Sequence, residues 1–230
     1  MGVLHLKPTD KQTFLLIGKG SEGNLTQRLE AASAAEKEGR FEEACNIRYL
    51  AFQHIVEVLP EEEGIELDWE HANTRAAMEI IHASAIDNLL AGDAELATAQ
   101  LELLLECDSE DHTEATPQLA LCYIALSEWD CLEEITLDLD PKSALKPLAE
   151  LWLGHCRDNT HPQEALDALR RHTPMVNELR RDDHSTDESY LRDIASERPS
   201  KEALARELYL KIEPLLAQYP TFKEWIKSAL

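Results

Sequence analysis

The stretch Gly18-Lys19-Gly20-Ser21-Glu22-Gly23, preceded by the apolar residues 14–17, has the composition of a phosphate-binding loop. Such a loop needs a strand, then GxxxxGK[ST], then a helix, with lysine and hydroxyl at the helix start. Here Lys19 follows the first glycine rather than the last, no GK[ST] tripeptide occurs, and no alternating βαβ pattern surrounds it. The stretch therefore reads as a flexible hinge between an N-terminal tail and the first helix. Metal chemistry has two sets of residues to consider, Cys107 with His112, and His155-Cys156 with His161. Neither has the CxxC or HxxxH spacing that places two ligands on one helical face, and adjacent helical residues point about 100° apart. The acidic run Asp108 to Glu114 has the carboxylate density of a calcium loop. It lacks the glycine at position six and the glutamate at position twelve. It reads as a turn that feeds acids into the start of the next helix, where they suit the dipole. A cysteine nucleophile needs a histidine base and an orienting group, and no cysteine lies in a glycine-framed turn. Neither catalytic residues, nor a metal, nor a cofactor is expected.

Charge narrows the partners. Lys plus Arg is 22 and Asp plus Glu is 45, so the net charge is 22 − 45 = −23. That field repels nucleic acid and anionic membrane and attracts basic protein segments, besides keeping a protein in solution. No apolar run approaches the roughly 20 residues of a membrane span. Residues 14–17 are too short for a signal-peptide core of about 7–15 residues. The five cysteines, odd in number and without a CxxC pair, fit a reducing compartment. A cytoplasmic protein is expected.

The elements that must position any site are helices. Helical periodicity and punctuation cover residues 25–38, closed by Gly39, and 41–58, ended by Pro60 and the acidic run 61–63. In the second of these, Phe41, Ala44, Cys45, Tyr49, Phe52, Ile55 and Val56 form one stripe. Asp68 is read as the N-cap of a helix reaching Ala91, about 36 Å long, with Gly92 as its stop. Shorter helices are predicted over 94–106, 116–126, 129–137, 143–157 and 162–171, and others opened by Thr173-Pro174, Asp187 and Ser200. Pro214 is expected to kink or break the last of these. Strand signals are nearly absent beyond residues 14–17, so the fold class is all-α.

Four stretches, EGRFEEACNI, AGDAELATAQ, LSEWDCLEEI and NTHPQEALDAL, align Ala44, Ala97, Leu132 and Ala165 at spacings of 53, 35 and 33 residues. The last two fall on the 34-residue tetratricopeptide period. Ala32, Ala85 and Ala120 each lie 12 residues earlier, Tyr123 and Trp129 sit where the motif favours aromatics, and ELWLGHC supplies its Leu-Gly pair. On these residues the chain resembles a tetratricopeptide-repeat (TPR) protein over about residues 25–171. It departs from the motif in lacking the early tryptophans of repeats one to three, in Leu132, and in one extra residue between Gly154 and Ala165.

The resemblance implies a right-handed superhelix of helical hairpins over 25–172, preceded by a tail (1–24) and closed by a helical cap (173–230). It places Glu79, His82, Ile86, Leu89 and Leu90, then Glu114, Leu121 and Ile124, on a concave groove, apolar at its centre and acidic at its edge. The positions that clamp acidic chaperone tails in some relatives carry Leu29, Ser33, Ala83, Glu114 and Gln118 here, so that activity is not expected. The expected function is a non-catalytic module binding a helical or extended, basic or amphipathic protein segment. The alternative is a scaffold subunit or homodimer whose groove is filled by its own chain, residues 13–17 included, or by a permanent partner.

Overall fold

The computed structural model describes residues 3–60 and 64–230. The acidic run 61–63 read as a helix terminator lies outside the described residues. The chain is mostly helical and divides into two compact units, residues 1–122 and 123–230.

The first unit opens with a small sheet where a flexible hinge was expected. Strands β1 (Leu4–Pro8) and β2 (Thr13–Gly18) form an antiparallel hairpin, with Leu4 opposite Gly18 and Pro8 opposite Phe14. Its turn is fixed by Asp10, whose Oδ1 accepts the N–H groups of Gln12 and Thr13 at 2.9 and 2.8 Å. A two-residue strand β3 (Glu66–Leu67) adds in parallel to the other edge of β2. The glycines serve close packing. The chain doubles back through the four-residue turn α1 (Gly20–Gly23), and a Cβ on Gly18 would lie 1.6 Å from the Gly23 carbonyl oxygen.

Two helical hairpins follow. Helix α2 (Leu25–Lys37) is capped by Asn24, whose side chain accepts from the Gln27 N–H, and Gly39 at φ +76° ends it. Helix α3 (Phe41–Val56) folds back on it through the buried Ala32, Ala35 and Ala44. Helix α4 (Ala72–Ala91) begins three residues later than expected. Its cap is His71, which accepts from the Thr74 N–H, while Asp68 accepts from Glu70 N–H in the preceding turn. Gly92, left-handed at φ +87°, ends it. Helix α5 (Ala94–Cys107), capped by Asp93, pairs with α4 through the buried Gln100: the half-buried Asn88 donates to it, and it donates to Ser84.

Residues 13–17 do not run along the α4 groove. The fully buried Leu16 donates its N–H to Thr74 Oγ1 at 2.9 Å, and its carbonyl accepts from Asn73 Nδ2 at 3.0 Å. Both partners are in the first turn of α4, which leaves the strand at the end opposite Leu89 and Leu90.

Helix α6 (Ala115–Leu126) crosses the division between the units. The second unit holds α7 (Trp129–Ile135), α8 (Leu145–Leu153) and α9 (Gln163–Arg171). It continues with α10 (Thr173–Arg180), α11 (Glu188–Ile194), α12 (Lys201–Gln218) and α13 (Pro220–Ala229). Helix α8 ends in a π turn at Gly154–Asp158. Pro214 does not break α12, which continues four residues beyond it to Gln218. The core stacks Trp152 on Phe222 at 4.4 Å, with the Tyr219 ring edge-on to Trp152. The buried Glu178 carboxylate of α10 takes both Nε and an Nη of Arg206 on α12. All seven aligned small or apolar positions, Ala32, Ala44, Ala85, Ala97, Ala120, Leu132 and Ala165, are buried. Among the described residues no helix is long and apolar enough to cross a membrane.

Candidate functional site

The groove residues read from the sequence separate into two sets. On α4, Glu79, His82, Ile86 and Leu89 are half-buried, and Leu90 is 80% exposed. Glu114 is exposed too, but it ends the turn before α6 at φ +55° rather than lying on a helix face. Leu121 and Ile124 are buried, so their side chains offer no surface to a partner. The Ile124 carbonyl instead accepts the Tyr219 hydroxyl at 2.8 Å. Periodicity marked them as apolar, but it cannot say which apolar face of a helix stays wet.

The neighbouring helix α3 carries a surface that the sequence reading merged with the core. Ala44, Arg48, Ala51 and Ile55 face inward, whereas Phe41 is 65% exposed, Tyr49 and Val56 are exposed, and Cys45 and Phe52 are half-buried. Between α3 and α4 sits a buried ion pair. Arg48 Nε and Nη2 donate to the two Asp87 oxygens at 2.6 and 2.8 Å, and Nη1 donates to Glu36 on α2 at 2.7 Å. Burial alone would lower the guanidinium's proton affinity, but the two carboxylates outweigh it and raise it. Three helices are thereby fixed beneath the exposed apolar side chains. One signal was available in the sequence: Phe41, Tyr49 and Phe52 put three aromatic rings on a single helix of a chain that is only 6% aromatic.

The chemistry-bearing side chains form small clusters with hydrogen bonds and ring contacts of their own. In the turn after α5, Asp108 Oδ1 binds His112 Nδ1 at 2.6 Å, and the His112 ring stacks on Trp69 at 4.8 Å. The Asp108 hydrogen bond, foremost, raises the His112 pKa against partial desolvation. Burial, reinforced by nearby acids, pushes the neighbouring Cys107 thiol up to about 12. Asp111 caps α6, its two oxygens accepting the Ala115 and Thr116 N–H groups at 2.6 and 3.1 Å. In the second unit, His155 Nδ1 lies 3.1 Å from His161 Nε2, and His161 stacks on Trp225. Burial, then the His161 charge, lowers the His155 pKa, and burial pushes Cys156 up to about 11. Among the described residues no group of three or more His, Cys, Asp or Glu is placed to hold a metal ion.

A cleft of about 400 Å³ lies beside the glycine turn, lined by Ile17, Gly18, Gly20, Gly23, Asn24, His71 and Asn73. Several of its polar atoms are engaged within the fold. Asn24 caps α2, His71 caps α4, and Asn73 accepts from Leu25 N–H while donating to Leu16 and Gly23.

No family model, no curated protein and no solved structure matches this chain.

Proposed function

We propose that the chain is a non-catalytic protein-interaction module of TPR-like hairpins. In this reading α2–α3, α4–α5, α6–α7 and α8–α9 stack as a right-handed superhelix, and α10–α13 form the cap. It works in a reducing, cytoplasmic setting, in keeping with five free cysteines. The binding face is formed by the exposed side of α4, apolar at Ile86, Leu89 and Leu90 and acidic at Glu79, together with Glu114 on the turn before α6. The bound segment is basic or amphipathic.

The observation that supports the reading best is where apolar surface is left in water. Of the eight large apolar side chains strongly exposed among the described residues, Phe41, Tyr49, Leu50, Val56 and Leu90 all lie on the adjoining helices α3 and α4. On α3, Phe41, Tyr49 and Val56 share one arc while Leu50 lies beyond its polar border, and an exposed apolar row of this kind marks an interaction site. An acidic border steers basic partners and speeds encounter.

The test is affinity capture from the source lysate with the wild-type chain and with Glu79→Lys/Glu114→Lys, at low and high salt. A partner held by the wild type, and weakened by the reversal and by salt, is expected. An identical set of captured proteins in every condition would overturn the reading.

A further inference from the structure

We infer that the exposed row on α3 is a docking strip for one amphipathic helix of a partner protein, bearing an apolar seam with lysines or arginines along a single flank. The inference rests on the interaction-module reading above and assigns a surface and a partner geometry within it.

The row is built for a helix. Phe41, Cys45, Tyr49, Phe52 and Val56 succeed one another at intervals of four, four, three and four residues. At about 100° per residue they fall in an arc of about 80°, and at 1.5 Å per residue they span about 22 Å. The four-three-four spacing from Cys45 to Val56 is the one by which side chains of two helices meet along a seam. Ala44, Arg48, Ala51 and Ile55 occupy the adjoining arc and are buried. The strip is therefore a second apolar face, on the shoulder of the core-facing one, and folding of the chain covers it only in part, leaving Phe41, Tyr49 and Val56 exposed and Cys45 and Phe52 half-buried.

Charge selects the occupant. On the solvent side the strip is bordered by Glu42, Asn46, Gln53 and Glu57, all exposed and none cationic. The other border is α4, fixed through the Arg48–Asp87 pair. A second copy of this chain would set the same acidic border against itself, since a two-fold contact pairs a patch with its own image. Each copy would also bring a net charge of −23. A partner helix whose cations lie along one flank meets Glu42 and Glu57 with them and lays its apolar seam on the strip.

The test titrates the full chain with a fluorescein-labelled 18-residue helical peptide that has a leucine seam and lysines on one flank. The same peptide with glutamates on that flank is the control. The protein variant is Phe41→Ser/Tyr49→Ser/Val56→Ser, all at exposed positions, with its melting temperature checked. Expected are binding of the lysine peptide at least tenfold tighter than the glutamate peptide, weakening at high salt, and at least tenfold loss in the variant at unchanged melting temperature. Equal binding by variant and wild type overturns the inference, as does no binding to either. A concentration-dependent dimer that the variant abolishes overturns it as well, and assigns the strip to self-association. If Ile86→Ser/Leu90→Ser loses the peptide while the α3 variant keeps it, the α3 strip falls and the module reading stands. If neither variant loses it, both fall.

Discussion

In the second unit Trp152 and Phe222 stack at 4.4 Å with neither exposed, whereas on α3 of the first unit Phe41 leaves 65% of its surface in water with Tyr49 and Val56 exposed beside it. The same residue types meet opposite environments in one chain. Burying apolar area is worth roughly 25 cal/mol per Å², and the second unit uses its rings for that purpose: Trp152, Tyr219 and Phe222 close the space between α8 and the segment joining α12 to α13. Helix α3 needs no such help, because Ala44, Ala51 and Ile55 already fill its contact face and Arg48 locks it to α2 and α4. Its row of apolar side chains is only partly covered by folding, with Phe41, Tyr49 and Val56 exposed and Phe52 half-buried.

The comparison breaks most visibly under truncation. Trp152→Ala or Phe222→Ala should cost about 3–5 kcal/mol, read by chemical denaturation, while Phe41→Ser or Tyr49→Ser should stay within about 0.5 kcal/mol. Similar losses at both places would mean that α3's row is core after all. Next in size is Arg48→Ala, which strands the Asp87 carboxylate and should cost about 2–3 kcal/mol. The Arg48→Ala/Asp87→Ala double variant should recover part of that loss, and a double variant no better than the single would sink the ion-pair assignment. Gly18→Ala should cost about 1–3 kcal/mol, because its Cβ meets the Gly23 backbone rather than a side chain that can yield. A neutral effect there would return residues 13–24 to the flexible hinge.

The smallest effect sharpens the comparison through pH. The His112 pKa is raised in the folded chain, so its contribution to stability is fully present below the unfolded value, about 6.5. It is lost as pH rises through the higher folded value. Denaturation midpoints followed between pH 5.5 and 8.5 should show that decline in the wild type and lack it in His112→Gln. A matching decline in the variant would remove the Asp108–His112 pair as its source.

The hairpins were legible because their signals are local. Alanines mark close helix crossings at Ala32, Ala44, Ala85 and Ala97, and Gly39 and Gly92 mark stops whose positive φ other residues resist. The sheet was hidden by weak alternation and, for its third strand, by distance. Strand β2 is partly buried along its length, so it does not alternate cleanly, and its second partner, β3, is two residues long and some 50 residues away. The site was half legible: Ile86, Leu89 and Leu90 could be placed on α4 by periodicity, but Leu121 and Ile124 followed the same rule into the interior. On α3 only Arg48 interrupts the apolar arc that runs from Ala51 through Ile55 and Phe52 to Tyr49, and periodicity alone does not say that the wet surface begins on its far side.

The central claim is that α3 and α4 carry the binding face. It is tested most directly by photo-crosslinking in source cells, with a benzophenone amino acid placed singly at Tyr49, at Leu90 and, in the second unit, at the exposed Leu191. The expected result is one and the same protein crosslinked from positions 49 and 90 and absent from 191. A partner captured from 191 alone, or equally from all three, would contradict it.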